Sequence, residues 1–404
     1  MMPKRGFKGA RLALSASALL VAVFLLRQTR PGPSEIEARI AGAAPASIAV
    51  VRSMNRARAF ATATTLANGR VLVAGGIDAN YNYLASAELF DPVTRTFSSV
   101  GSMAASRAAH SATLLANGQV LIAGGVACAG GQCASLPSAE IYDPILQQFL
   151  PVGPMKAARA NHTATLLVDG SVLIAGGVSG PTGLASAEIY NPVSGRFSDT
   201  GSMAAPRFLH SATLLNDGQV LVAGGRSCDG ECDENPASNS AEVYDPTRLR
   251  FFPAGKLHEG RILHGATLLR DGRVLLSGGR SCVGDCEGDT TLDDSEIYDP
   301  DTGRFEIGAR MAAARASHQA IALPDGRVFV YGGARCGKRG GCDYLNTGEL
   351  FDPGLGGFAP VGNGTVAGTN LAAALMADEQ VLIAGGRMRG SIFRSVDVFS
   401  FGAN

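Results

Sequence analysis

Seven times along the chain a short, mostly apolar run ends in a glycine pair. The first is Val71-Leu72-Val73-Ala74 before Gly75-Gly76, and the others precede Gly124-Gly125, Gly176-Gly177, Gly224-Gly225, Gly278-Gly279, Gly332-Gly333 and Gly385-Gly386. A run without polar alternation is what a strand covered on both faces requires. In front of each run stands another short segment, such as Ser111-Ala112-Thr113-Leu114. Six of the seven units join the two through Asn-Gly or Asp-Gly, which supplies the positive φ angles of a two-residue hairpin. Behind each doublet come a variable stretch, a third strand such as Ala139-Glu140-Ile141-Tyr142, an Asp-Pro turn and a fourth strand carrying Phe149. Four antiparallel strands per unit, with the doublets 48 to 54 residues apart, predict an all-β propeller of seven blades over residues 47–404.

The last unit stops after its third strand, at Ser395 to Phe399, and the missing fourth is supplied from the other end, by Ile48 to Met54. The ring is therefore expected to close by pairing the two ends of the domain, which hides the sheet edges.

Counting along the units separates what is fixed from what varies. In six units an arginine stands 17 residues before the first glycine of the doublet: Arg58, Arg107, Arg159, Arg207, Arg261 and Arg315. The seventh unit has Gly368 there. The acid of the third strand is Glu88, Glu140, Glu188, Glu242, Glu296 or Glu349, and the next arginine or Gly368 always follows it by 19 residues. From the second glycine to that acid, however, the count runs 12, 15, 11, 17, 17, 16 and 11. All length variation thus lies between the second and third strands. Because strands alternate in direction, these loops emerge on the same side as the links between blades, and that side is the expected ligand face. A residue recurring in every blade most often maintains the blade, so the arginines are read as structural partners of the glutamates. A cationic ring at the channel mouth is the competing reading. His110, His162, His210, His264 and His318, three residues after the arginines, are read in the same structural way.

The doublet after an apolar strand, the Glu-x-Tyr-Asp-Pro segment, and the aromatic fourth strand leading to a Met and an Arg together resemble the Kelch-repeat propellers, of the exported bacterial type. The resemblance covers residues 48 to 404. The tryptophan usual in the family's fourth strand is replaced by Phe97, Phe149, Phe197, Phe251 or Phe252, Phe305 and Phe358, a smaller and purely apolar filling.

Composition adds the class of partner. Lys and Arg balance Asp and Glu, only 17% of residues are charged and 46% are hydrophobic, so nucleic acid is not an expected partner. Lys4, Arg5, Lys8 and Arg11 precede an uncharged apolar run from Leu12 to Leu26, closed by Arg27, and this marks residues 1–27 as a membrane-targeting segment. It fits either a cleaved signal peptide or a retained anchor, with residues 28–46 as a linker. Everything after it is expected to be exported, and membrane contact is expected only through that segment.

All eight cysteines lie in the four longest variable loops as close pairs: Cys128 with Cys133, Cys228 with Cys232, Cys282 with Cys286, and Cys336 with Cys342. In an exported protein this reads as one disulfide per long loop. Each contributes about 2 kcal/mol of loop ordering on the chain-entropy estimate. A zinc site is the weaker reading, since four ligands would have to come from different blades. Acids around two pairs (Asp229, Glu231, Asp233 and Glu234; Asp285, Glu287, Asp289, Asp293 and Asp294) offer calcium as the one cofactor to consider, against a plain solvated loop.

Function in a repeat protein should sit where the copies differ. The singular residues on the expected face are Tyr81 and Tyr83, flanked by Asn80 and Asn82, then Arg226, Arg280, Lys338, Arg339, Tyr344, Arg387 and Arg389, with Phe393 beside them. Tyr and Arg are the types that dominate binding hot spots. The leading expectation is an extracytoplasmic recognition module for a protein or glycan ligand, without catalytic residues. The alternative is a Kelch-propeller carbohydrate-active enzyme. The resemblance to the galactose-oxidase group implies a copper site with His and Tyr ligands and a Cys–Tyr crosslink, for which every cysteine here already has a near neighbour. A mutarotase-like site would need only acidic and basic residues at the channel. Titration of the denatured, unreduced protein with a thiol reagent is expected to find no free thiol, and eight reactive thiols would reject the disulfide reading.

Overall fold

The computed structural model describes residues 47–227, 235–281, 290–337 and 341–402, with the single position 38. Seven four-stranded antiparallel sheets stand in a ring. Blade 1 runs Thr62–Thr65, Val71–Ala74, Ala87–Asp91 and Thr96–Ser99 from the centre outward, each strand paired with the next. Blades 2 to 6 repeat this order. In blade 7 the strands Ala372–Leu375, Val381–Ala384 and Val396–Ser400 are completed on the outside by Ser47–Val50, in register Ser47 to Ser400 and Val50 to Asp397. The closing strand is shorter than the 48 to 54 expected, because Val51 to Met54 already turn toward blade 1, with Met54 N–H donating to Arg394 O of the blade 7 loop at 3.0 Å.

The core is divided among the seams between blades. One cluster packs Leu72 and Leu89 of blade 1 on Val120, Ile122 and Tyr142 of blade 2, and six equivalents fill the other seams. This explains the continuous apolar runs: each second strand is buried at all four positions because both its faces meet neighbouring sheets. The fourth-strand phenylalanine stacks on the third-strand aromatic directly opposite, as Tyr142 on Phe149 with centroids 5.0 Å apart. In blade 4 that partner is Phe251, not Phe252, whose ring lies under Arg250.

The glycine doublets are where adjoining blades touch. The N–H of the second glycine donates to the carbonyl at the arginine position of the next blade, from Gly76 to Arg107 at 2.8 Å through to Gly386 to Arg58 at 2.9 Å, so the closing seam uses the same bond as the others. A Cβ on Gly124 would meet Arg159 O at 2.4 Å and the His162 ring at 2.8 Å, on a backbone with φ of +63°. No other residue fits there. Gly124→Ala is expected to lower stability by about 2–4 kcal/mol, combining left-handed strain with a displaced seam. Denaturant unfolding measures it, and a change under about 0.5 kcal/mol, the range of an ordinary surface substitution, would contradict the seam geometry.

Candidate functional site on the loop-bearing face

Every blade receives the chain on the face that carries the long loops, and the arginine leading into it turns inward. Arg159 donates through Nη1 to the carbonyls of Gly176 and Ser186, at 2.8 and 3.1 Å, and through Nη2 to Glu188 Oε1 at 2.7 Å. Glu188 also accepts the N–H groups of Lys156 and Ala157 at 2.8 and 3.1 Å, which pins the link from the preceding blade. The pairs Arg58–Glu88, Arg107–Glu140, Arg207–Glu242, Arg261–Glu296 and Arg315–Glu349 repeat the contact at 2.6–2.8 Å, all buried. Burial lowers the pKa of the Arg58, Arg107, Arg159 and Arg207 guanidinium groups, and the paired glutamate opposes that shift. These six arginines belong to the blades and form no open cationic ring. In blade 7, where Gly368 and Asp397 stand in their place, Asp397 accepts the N–H groups of Thr365 and Val366 at 2.7 and 2.8 Å.

The five histidines join blades. Nε2 of His110, His162, His210 and His264 is hydrogen-bonded to the hydroxyl of Thr62, Ser111, Thr163 and Ser211 in the preceding blade, at 2.8–3.1 Å. His318 meets Gly265 at that position and bonds instead to Ser277 on the neighbouring strand, directly across from Gly265, at 3.0 Å. His258 lies apart, bonded to Phe305 O at 3.1 Å.

One feature of this face had no signal in the sequence. Two residues beyond the arginine position, Phe60, Ala109, Asn161, Leu209, Leu263, Ser317 and Asn370 all have left-handed backbones with φ between +52° and +57°. Their peptide groups bond head to tail round the channel mouth, as Ala109 N–H to Phe60 O at 3.2 Å and Phe60 N–H to Asn370 O at 3.2 Å, with only the step from blade 6 to blade 7 left open. Left-handed geometry in seven non-glycine residues is strained, and such strain clusters at functional sites. Their side chains are half-buried and differ from blade to blade. A sequence scan passes over them because no one residue type marks the position: Leu and Asn each occur twice and Phe, Ala and Ser once.

Outside this collar stand the loops. Those of blades 2, 3, 5, 6 and 7 carry small hairpins of their own, such as Val126–Ala129 with Gln132–Ser135 and Ala334–Cys336 with Cys342–Tyr344. Two of the four expected disulfides, Cys128 to Cys133 and Cys336 to Cys342, close two of these hairpins, and no described cysteine is free. The other two expected bridges, Cys228 to Cys232 and Cys282 to Cys286, fall on residues 228–234 and 282–289, so Cys228, Cys232, Cys282 and Cys286 all lie outside the described residues. Neighbouring loops are tied sideways: Ser135 Oγ donates to Val178 O at 3.0 Å, Cys336 N–H to Thr291 Oγ1 at 2.9 Å, and Tyr81 Oη to Gly390 O at 2.6 Å.

The candidate contacts fall into groups. Tyr81, 49% exposed and left-handed at φ +61°, meets Arg387, whose guanidinium lies 5.9 Å from its ring centre, and the tip bearing Arg389. Tyr83 packs partly against Ile77 and Ile392, and Tyr344 is half-buried opposite Ala334. Arg226 is a correction: it is only 6% exposed, held between Phe208 and Ala237, and so is not offered to a ligand. Arg280 is half-buried, bridging Ile262 and Thr291. Lys338 and Arg339, the acids Asp229, Glu231, Asp233, Glu234, Asp285, Glu287 and Asp289, and residues 1–27 also lie outside the described residues. Asp293 and Asp294 pair with Arg310 and Arg261. Among the described residues no three His, Cys, Asp or Glu gather to hold a metal, and no helix is long and apolar enough to cross a membrane. Two open clefts lie on the opposite face, one of about 370 Å³ by Arg270, Asp325 and Glu379 and one of about 430 Å³ by Val168, Asn216 and Thr247, both among hairpin turns.

The Kelch motif matches residues 58–104 and 159–204, within the units whose seams and ion pairs have just been described. The chain is a seven-bladed β-propeller, and two stretches of it match the Kelch motif. No curated protein matches the chain. Among solved structures it is similar to a fungal alcohol oxidase of the AA5 family in complex with copper, at 19% identity and a TM-score of 0.69, covering 88% of this chain and 76% of that one. At that identity the likeness is one of fold. Five of the histidines each serve a different seam and His258 lies apart, so the described donors do not fit a copper centre.

The buried histidines give the ring a pH dependence. Burial, chiefly, holds their pKa at about 3, against 6.5 for the free side chain. The unfolded chain therefore takes up protons first as pH falls. The stabilisation is complete above pH 6.5 and is lost progressively between 6.5 and 3, at up to about 1.4 kcal/mol per pH unit for each histidine. The unfolding temperature is expected to drop steeply between pH 6 and pH 4, and His162→Gln to flatten that drop by one proton's share. A profile level to pH 4 would contradict the buried neutral ring.

Proposed function

We propose that the chain is an exported recognition module that captures a protein or glycan ligand on the loop-bearing face. The observation that carries this is the division of labour on one rim. The recurring charges are locked inside the blades, while all the variation in length stands on the loops above them. A rigid frame presenting variable loops is the usual design of a binding surface. Export is supported by the basic and apolar amino-terminal pattern and by the two loop disulfides, which suit an oxidising compartment. The contacts we assign are Tyr81, Arg387 and Arg389 at the seam of blades 7 and 1, with Tyr344 on blade 6.

Screening the purified protein against glycan and exported-protein arrays tests the reading. Tyr81→Ala combined with Arg389→Ala is expected to weaken capture about tenfold or more, the scale of hot-spot truncation, with the chain still folded. Val93→Ala with Val193→Ala, on exposed turns of the other face, should leave capture intact. The reverse pattern would move the binding surface to the turns.

A further inference from the structure

The seam that closes the ring gathers four exposed guanidinium groups, where the links into blades 3, 5 and 6 carry one exposed cation each, Lys156, Lys256 and Arg310. Arg52 and Arg56 on the link into blade 1, and Arg389 and Arg394 on the blade 7 loop, are all exposed, and none has an ion-pair partner among the described residues. The other blades have glycine or alanine where Arg52 stands, alanine, glutamate or valine where Arg56 stands, and alanine, proline, asparagine or aspartate where Arg394 stands. The backbone brings the four together: Met54 N–H donates to Arg394 O at 3.0 Å, Arg58 N–H to Phe393 O at 3.1 Å, and Tyr81 Oη to Gly390 O at 2.6 Å. Arg387 adds a fifth guanidinium over the Tyr81 ring. Asp78 is the acid that faces them, with Oδ1 accepting the N–H groups of Asn80 and Asn82 at 2.9 Å and Oδ2 the Asn82 side-chain amide at 3.2 Å, while Glu88 and Asp397 are buried and satisfied from within.

From this we infer that the seam between blades 7 and 1 binds an acidic polysaccharide, a sugar chain bearing carboxylate or sulfate groups. The inference rests on the recognition reading above and narrows its ligand. Guanidinium forks pair with carboxylate and sulfate oxygens, and several on one surface gather successive charges of one chain. Beside them are the chemistries a sugar needs: the exposed amides of Asn80 and Asn82 for hydroxyl groups and the half-exposed Tyr81 for a ring face. A lipid surface would call for exposed aliphatic side chains. The most exposed of those, Val93, Ile145, Val168 and Val193, stand on the turns of the other face.

The test compares the full-length protein and its variants on a sulfated polysaccharide, a polyuronate, neutral dextran and double-stranded DNA. The intact protein is expected to bind one or both acidic polysaccharides, less tightly as salt rises, and to leave dextran unbound. The two acidic arms tell sulfate from carboxylate. Replacing Arg52, Arg56, Arg389 and Arg394 by Gln together should weaken that binding about tenfold or more, at a few-fold for each exposed contact, with the same unfolding temperature. Replacing Arg95, Arg196 and Arg304, exposed on the turns and outer strands, should not. Tyr81→Ala should weaken polysaccharide binding further. Full affinity in the fourfold variant, equal binding of dextran, or DNA binding as tight as the polysaccharide and indifferent to Tyr81→Ala would each overturn the assignment. Capture of a neutral glycan or a protein on this face, unaffected by the four substitutions, would overturn it too and leave the recognition reading in place.

Discussion

A single hydrogen bond, repeated at every seam, sets the spacing of the ring: the second glycine of each doublet gives its N–H to the chain entering the next blade. The bond forms only if that chain comes close enough to leave no room for a Cβ, so the doublet is obligatory for reasons of distance before any question of turn geometry. The same carbonyl belongs to the arginine whose guanidinium reaches back into its own blade, to the first glycine of its own doublet and to the glutamate of the third strand. Spacing and blade closure are thereby one linked device. The buried ion pair need not add net stability, since desolvating both charges cancels much of their attraction. Its contribution is geometric: one planar group fixes three strands and the incoming link at once.

With position fixed this way, the interaction is retained more faithfully than the residue. Where Gly265 removes the usual hydroxyl, Ser277 offers one from the neighbouring strand, and His318 finds its partner. At the next seam Leu371 stands where a histidine would, and Gln319 Nε2 donates to the Leu371 carbonyl at 2.9 Å, so a polar tie persists while the ring side chain becomes an apolar one in the core. Each exchange keeps a hydrogen bond across the seam, in line with the pairing of buried polar groups.

Much of this was legible in the residues, because glycine pairs, Asn-Gly turns and apolar runs each have a local physical cause. Constant counts from Arg to doublet and from Glu to the next Arg marked the frame, and the unequal count between them marked the loops. The collar at Phe60, Ala109 and their equivalents was not legible. Its left-handed backbone is imposed by neighbours on both sides, and Phe, Leu and Ala carry no preference for it. Arg226 looked like a loop residue because it follows a doublet, yet the bridges to Phe208 and Ala237 bury it. Arg52, Arg56 and Arg394 escaped for a different reason. They sit on segments far apart in the chain, and become singular only when each is set against its equivalents in the other blades.

The closing seam departs most from the pattern, and its two departures bear on each other. Ala61 and Ala372 stand there without a histidine–hydroxyl tie, so what remains is the Gly386 bond, the apolar cluster of Val73, Phe90 and Val398, and the clasp from Tyr81 to Gly390. This is also the seam that must join the two ends of the domain, at the largest separation in sequence and hence the greatest loop-closure cost. Exposed like charges on both sides of it repel, weakly in salt water but in the direction of opening. A polyanion lying across Arg52 and Arg56 on one blade and Arg389 and Arg394 on the other reverses the sign of that contribution. By linkage it stabilises the closed ring by RT ln(1 + L/Kd), with L its free concentration, and above Kd this grows with the logarithm of L. On the proposed reading, ligand binding and ring closure are therefore coupled at the one place where the frame itself supplies fewest ties.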